Sequence, residues 1–216
     1  MTKVFLISGL GADTRLYNNI EIPDEFEVIP VDWIDPHKTD TLTTYAQKII
    51  YQYDIRPNSI IIGTSLGGII AIEIAKKIDL KKVVLISSIK TIAERPGYFA
   101  VFRALPIYKF FPESSLPVIA LLIKPVFGKI AGNDAWLFQD MLRKSLPVFV
   151  KWAMGAILKW DNQILPSNVY HIHGDNDHVF PSRNIKDATI IKGGSHIMIF
   201  DKAKQVNKWL QPIFKK

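Results

Sequence analysis

The stretch Ser59-Ile60-Ile61-Ile62-Gly63-Thr64-Ser65-Leu66-Gly67-Gly68-Ile69-Ile70-Ala71 decides how this chain folds. A continuous β-branched run suits a strand buried on both faces, and such strands occur where helices cover both sides of a parallel sheet. The pattern then becomes helical within a few residues, so the chain must turn sharply between Gly63 and Gly67. A serine at such a turn holds its hydroxyl exposed at the C-terminal edge of the sheet. The flanking glycines relieve crowding where the bent backbone nearly touches its neighbours. The helix behind it offers free N–H groups and a positive dipole to an anionic intermediate. A serine that only caps a helix after a glycine turn is the plainer alternative.

Working outward, short apolar runs alternate with helical patterns, which is the signature of an α/β fold with a mostly parallel sheet. Six strands are expected at Val4–Ser8, Glu27–Val31, Ser59–Gly63, Lys82–Ile86, Val169–His173 and Thr189–Ile191. Amphipathic helices are expected at Thr41–Tyr53, Leu66–Ile78 and Lys202–Phe214. In the second, Ile69, Ile72, Ile74 and Ile78 point toward a core, and Glu73, Lys76 and Lys77 should face water. The alternation breaks from Ile89 to Gln163. There Pro96, Pro106, Pro112, Pro117, Pro125 and Pro147 mark the ends of short helical stretches. Aromatic residues crowd the same segment: Tyr98, Phe99, Phe102, Tyr108, Phe110, Phe111, Phe127, Trp136, Phe138, Phe149, Trp152 and Trp160. It reads as a helical insertion, a cap over 89–163 within a single domain of residues 1–216. Ordinary covering helices of the same domain are the alternative.

Two further loops carry chemistry when taken with Ser65. His173-Gly174-Asp175-Asn176-Asp177-His178 follows the fifth expected strand, where a carboxylate projects from the same sheet edge as the serine. Either aspartate alone could simply cap a turn. Gly193-Gly194-Ser195-His196 follows the last strand, and its glycines let the loop swing an imidazole over the nucleophile. A serine hydroxyl is a poor nucleophile at neutral pH. A histidine must take its proton, and a buried carboxylate must fix that histidine's tautomer and stabilise its cation. The order Ser65, Asp177, His196, each just past a strand, supplies those three groups. The acid is assigned to Asp177 because Asp175 follows the strand's last glycine directly and is placed to bond the N–H groups of its own turn. After the first strand, Ser8-Gly9-Leu10-Gly11-Ala12-Asp13 can turn the Leu10 N–H toward the reaction centre. With the Leu66 N–H it would form an oxyanion hole.

Other readings fare worse. Gly9-x-Gly11 begins a dinucleotide-binding loop, but Thr14 stands where the third glycine belongs. His171-x-His173-x-Asp175 begins like the ligand run of metallo-β-lactamase-type hydrolases, but Asn176 replaces the next histidine. No metal or other cofactor is therefore expected. The chain of 216 residues contains no cysteine, which excludes disulfides and thiolate chemistry. Its net charge of +7 comes from scattered lysines without an arginine cluster, so nucleic acid is not an expected partner. The longest apolar run, Leu116–Phe127, is interrupted by Lys124 and Pro125 and falls short of the roughly 18 residues of a membrane span. Met1 to Asp13 reads as a strand and loop rather than a signal peptide, so a cytoplasmic location is expected.

With these residues placed, the chain resembles the α/β-hydrolase superfamily over nearly its whole length. The resemblance rests on the Ser8–Gly11 loop, Gly63–Gly67, His173-Gly174-x-x-Asp177 with Pro181, and Gly194-Ser195-His196. It implies an eight-stranded fold, trimmed here to start at its third strand, with a cap after the strand Lys82–Ile86. It is similar most of all to small bacterial hydrolases carrying Asp32-Trp33-Ile34-Asp35-Pro36 and Leu42-Thr43-Thr44-Tyr45-Ala46, where many relatives have a glycine-rich loop. Haloalkane dehalogenases and epoxide hydrolases of this fold carry aspartate where Ser65 stands, which disfavours both activities. The expectation is a serine hydrolase that cleaves a carboxylic ester or related acyl bond of a largely apolar small molecule through an acyl-enzyme. The alternative is a catalytically idle member that binds a ligand or partner. Contact of the basic surface and apolar cap with a membrane surface is a third reading, and the oligomeric state is left open.

Overall fold

Buried strands alternate their side chains between two separate cores, which is why they read as unbroken apolar runs. In the computed structural model, which describes residues 1–112, 115, 124–128, 130 and 132–215, six strands form one parallel sheet. They are β1 (Thr2–Ile7), β2 (Phe26–Val31), β3 (Ile60–Thr64), β4 (Lys82–Ile86), β5 (Val169–Gly174) and β6 (Thr189–Ile191), in the order β2-β1-β3-β4-β5-β6. Phe5, Ile7, Ile61, Val83 and Leu85 pack into one core, and Val4, Leu6, Ile60, Ile62, Val84 and Ile86 into the other. Each expected strand is present, with ends that differ by no more than two residues.

Helices α1 (Leu42–Gln52) and α2 (Leu66–Ala75) cover the first face. A reciprocal capping box between Thr41 and Thr44 starts α1, satisfying orphan N–H groups at its N-terminus. After β4 come α3 (Tyr98–Ala104), α4 (Lys124–Phe127), α5 (Gly132–Lys144) and α6 (Pro147–Lys159), which make up the inserted segment. Helices α7 (Met198–Asp201) and α8 (Ala203–Lys215) close the second face. Of the apolar run Leu116–Phe127, residues 116–123, including the expected boundary at Pro117, lie outside the described residues. Among the described residues no helix is long and apolar enough to cross a membrane.

The inserted helices belong to both cores. Phe99, Tyr108, Phe149, Ala153 and Leu158 join the first, and Phe138, Met141 and Leu142 the second. The aromatic residues divide accordingly, because Phe110 and Trp136 are exposed while Phe138, Phe149 and Trp160 are buried. The expected solvent face of α2 needs correction. Lys77 is exposed, but Glu73 is fully buried. Its carboxylate accepts hydrogen bonds from Trp160 Nε1 (2.8 Å), Thr43 Oγ1 (2.7 Å) and Lys76 Nζ (2.8 Å). A helix read alone has a polar side, and here that side is covered by α1 and by the end of the insertion.

Burial pushes the Glu73 carboxyl up, but its hydrogen bonds outweigh that effect and hold it below the ordinary range. Replacing Glu73 by Ala leaves the Trp160 and Thr43 donors without their acceptor. Chemical denaturation should show a loss of about 3 kcal/mol or more at neutral pH. A carboxyl with a depressed folded-state pKa contributes its full stability above the unfolded value of ~4.3 and loses it as pH falls through the folded value. The gap between wild type and Glu73→Ala should therefore narrow in acid.

Candidate active site

The strand order places a topological switch between β1 and β3, because the chain leaves β1 toward β2 and leaves β3 toward β4. Loops at the C-terminal ends of those two strands diverge there and open a crevice. Ser65 follows β3 directly, with φ 54° and ψ −117°, and is the first turn residue before α2. A positive φ on a non-glycine residue costs on the order of 1–3 kcal/mol and persists only where neighbours over-determine it. Several do. Ser65 N–H donates to the Ile86 carbonyl at the end of β4, and the Ser65 carbonyl accepts from Gly68 N, Ile69 N and Ser88 Oγ. A Cβ on Gly67 would overlap the Ile7 carbonyl oxygen, so only glycine lets α2 pass this close to β1. Tyr17 braces the same place from below: its hydroxyl donates to the Ile7 carbonyl (2.6 Å) and accepts from Thr64 Oγ1 (3.0 Å).

The loops after β5 and β6 are held edge to edge. Asn176 N–H donates to the Gly194 carbonyl, Asp175 N–H to the Ile191 carbonyl, and a Cβ on Gly174 would collide with Gly194. This contact brings Asp177 and His196 together. Asp177 Oδ2 lies 2.8 Å from His196 Nδ1, and His196 Nε2 lies 2.9 Å from Ser65 Oγ. The geometry reads as Nδ1–H donating to the carboxylate, which leaves Nε2 to accept the serine proton. Asp177 Oδ1 accepts from the N–H groups of Val179 and Phe180, both at 2.8 Å. Asp177 is 3% exposed. Burial raises its pKa, but the charge and hydrogen bond of His196, the neighbouring His173 and the backbone donors together hold it below the ordinary carboxylate range.

All three expected residues thus meet at one place. The geometry alters one expectation about the loop: the turn-capping bonds belong to Asp177, through Oδ1, while the exposed Asp175 reaches across to Gly193 N–H (2.6 Å). Asp175 holds the second loop against the first. His178 is exposed. The ring of His196 packs near those of Phe180 (centroids 5.4 Å apart) and Phe127 (5.7 Å). Sequence spacing gave no sign of Tyr17 or Ser88, which arrive from other stretches of chain, nor that the rings of Phe127 and Phe180 pack on His196.

On the other side of Ser65, the Ser8–Asp13 loop packs so closely that a Cβ on Gly9 would sit 3.3 Å from Ser65 Cβ. Leu10 is the next residue of that loop, and Leu66 is the first residue of α2. Trp33 Nε1 donates to the Ala12 carbonyl, and Tyr45 hydroxyl both donates to Ile34 O and accepts from Ile34 N. The Asp32–Pro36 and Leu42–Ala46 segments thereby steady the loop. The Trp33 ring stacks on Phe149 at 4.7 Å. A cleft of about 180 Å³ opens beside them, lined by Gly11, Ala12, Trp33, Met141, Leu146 and Phe149, with Asp13, Asp32, Lys144 and Ser145 also on its wall.

His171 and His173 lie on β5, but His171 Nδ1 faces the Lys90 ammonium at 3.2 Å, an environment hostile to a metal cation. Among the described residues no group of three His, Cys, Asp or Glu side chains is placed to hold a metal ion.

Comparison with known proteins agrees with this architecture. A sequence model of the Alpha/beta hydrolase family matches residues 4–209. The fold is similar to a thermophilic esterase from Thermogutta terrifontis, with TM-score 0.77 and 17% identity, covering 100% of this chain and 90% of that one. It is also similar to an esterase from Exiguobacterium antarcticum (TM-score 0.73, 20% identity, 100% and 92% covered). A bromoperoxidase from Bacillus anthracis shares it as well (TM-score 0.69, 18% identity, 100% and 92% covered). No curated protein matches the sequence.

The hydrogen-bond series makes a prediction that needs no substrate. Labelling of Ser65 by a fluorophosphonate should slow by about 10³–10⁴-fold in Asp177→Asn, where an amide favours the wrong tautomer of His196. Asp175→Asn should slow it far less, and His178→Ala not at all. Rates measured by quenched labelling and gel fluorescence check the ranking.

Proposed function

The chain belongs to the Alpha/beta hydrolase family, and within it we propose a serine hydrolase that cleaves a carboxylic ester or related acyl bond through an acyl-enzyme. The observation that carries this reading is the continuous Asp177–His196–Ser65 series at 2.8 and 2.9 Å. His196 Nε2 takes the Ser65 proton as Oγ attacks the acyl carbon. The Asp177 carboxylate stabilises the imidazolium that results. Charge collects on the former carbonyl oxygen, where the Leu10 and Leu66 N–H groups are the proposed donors. Each such donor contributes roughly 3 kcal/mol in the transition state. His196 then returns the proton to the leaving alcohol oxygen as the C–O bond breaks. A water molecule, deprotonated by the same imidazole, releases the acid and restores Ser65.

The cleft by Trp33 and Phe149 holds none of the three proposed catalytic residues but adjoins the Ser8–Asp13 loop, and its aromatic and aliphatic lining, apart from Asp13, Asp32 and Lys144, supports an apolar group on the substrate. The segment 89–163 supplies Met141, Leu146 and Phe149 to it and none of the proposed catalytic groups, so we assign it a cap's role in substrate choice. Names of similar folds, esterases among them, accord with acyl chemistry on a small molecule. A catalytically idle binding protein would have no use for the tautomer-fixing contact at His196.

Turnover of p-nitrophenyl esters should fall by about 10⁴-fold or more in Ser65→Ala, together with loss of fluorophosphonate label. Label on another serine, or Ser65-independent turnover, would overturn the reading. Phe149→Ala and Trp33→Ala should shift the preferred acyl or alkoxy chain length while Ser65 still labels. A methylene in such a pocket is worth about 1–3 kcal/mol, so the shift should be plain in kcat/KM across a graded ester series.

A further inference from the structure

A second histidine touches the same carboxylate. His173, on β5, is fully buried, with Nε2 at 2.7 Å from the Phe180 carbonyl and 3.3 Å from Asp177 Oδ2. Both are acceptors, so Nε2 carries the proton; it donates to the Phe180 carbonyl and stands close to Asp177 Oδ2 without hydrogen-bonding it. Nδ1 is buried and meets no hydrogen-bond partner among the described residues. The ring is therefore a neutral Nε2–H tautomer. Burial keeps it uncharged, against the pull of Asp177 and Glu94 and with the help of His196. The remaining neighbours are His171, edge-on at 5.5 Å, and behind it Lys90, paired with Glu94 at 3.0 Å. Tyr98, hydrogen-bonded to the Val179 carbonyl, faces the Asp177 charge.

Oδ2 is the oxygen that pairs with His196, while Oδ1 is already held by two backbone amides. Phe180 joins the two halves: its N–H binds Oδ1, its carbonyl accepts from His173, and its ring packs on His196. We propose that His173 is a positioning residue for the acyl-transfer reaction: its Nε2–H holds the Phe180 carbonyl, and so the Phe180 N–H on Oδ1, while its polar edge faces Oδ2, and together these fix the rotation of the Asp177 carboxylate. This rests on the serine-hydrolase reading above. A carboxylate that loses the N–H dipole facing one oxygen presents more charge to its remaining partner, His196. Removing His173 also frees the carboxylate to turn, which lowers the maximal rate.

The test compares His173→Phe, which removes the donor, with His173→Gln, which keeps an N–H at nearly the same reach. In ester hydrolysis the acid limb of the kcat/KM profile should move to higher pH by about half a unit in His173→Phe. Its kcat should fall by about tenfold, of the order of one hydrogen bond lost from the support of the carboxylate, with KM little changed. His173→Gln should restore both. A destabilised His173→Phe whose folded fraction keeps the wild-type limb and kcat would show that His173 only packs β5, and would overturn the proposal. If His173→Phe does not fold, His173→Asn, too short to reach Oδ2, takes its place against His173→Gln; equal profiles for the two overturn it. In wild type, ¹⁵N NMR at neutral pH should find His173 protonated on Nε2 and unprotonated on Nδ1. The opposite tautomer also overturns it. Wild type that labels at Ser65 and loses turnover in Ser65→Ala, beside normal His173 variants, refutes this proposal alone. Turnover independent of Ser65 refutes both it and the reading beneath it.

Discussion

The rest of the molecule is arranged around a backbone conformation that Ser65 would not adopt unaided. A φ of 54° on a residue with a Cβ is held because its N–H is fixed by the end of β4 and its carbonyl by Gly68, Ile69 and Ser88. Those contacts need α2 to start hard against β1, and Gly67 allows it by giving the Ile7 carbonyl room. Strain of this kind is local in cost and distributed in support, which is why the turn sits in the most buried part of the sheet. The result is a hydroxyl presented at the crevice in a fixed direction, with an N-terminal helix turn behind it.

Around that hydroxyl, electrostatics follow from burial. A carboxylate out of water is costly unless it is fully hydrogen-bonded. Asp177 has two backbone donors on one oxygen and two imidazoles near the other, enough to hold it charged despite 3% exposure. That charge lies 2.8 Å from His196 Nδ1 and favours the tautomer with its proton there. In the proposed reaction such preorganisation would spare a rearrangement. The aromatic rings of Phe127 and Phe180 pack near His196, which is buried.

The inserted segment links this chemistry to stability. Its helices contribute to both cores, and through Trp160 it caps a buried carboxylate on α2, the helix that begins at Ser65. A change in the insertion can therefore be felt at Ser65 through packing as well as through the cleft walled by Phe149 and Met141. The Trp33–Ala12 hydrogen bond gives the opposite wall a similar double duty, since it steadies the loop that carries Leu10.

Local sequence was sufficient for the sheet and for the three residues that meet at its edge. Buried parallel strands announce themselves as apolar runs, and Ser65, Asp177 and His196 each sit just past one, so order and spacing locate them. What periodicity cannot register is a contact between distant stretches. Glu73 reads as a solvent-facing helix residue until Trp160, 87 positions away, lies over it. The sequence assigns the acid to Asp177 and the turn cap to Asp175, and only the meeting of the β5 and β6 loops shows Asp175 reaching Gly193 while Asp177 both caps its own turn and pairs with His196. His173 reads as one more residue of a buried strand, and its place against Oδ2 exists only once the chain bends back through Phe180. Residue types and strand pattern determine which groups are available; tertiary packing decides which of them share an atom, because that depends on distances no single segment contains.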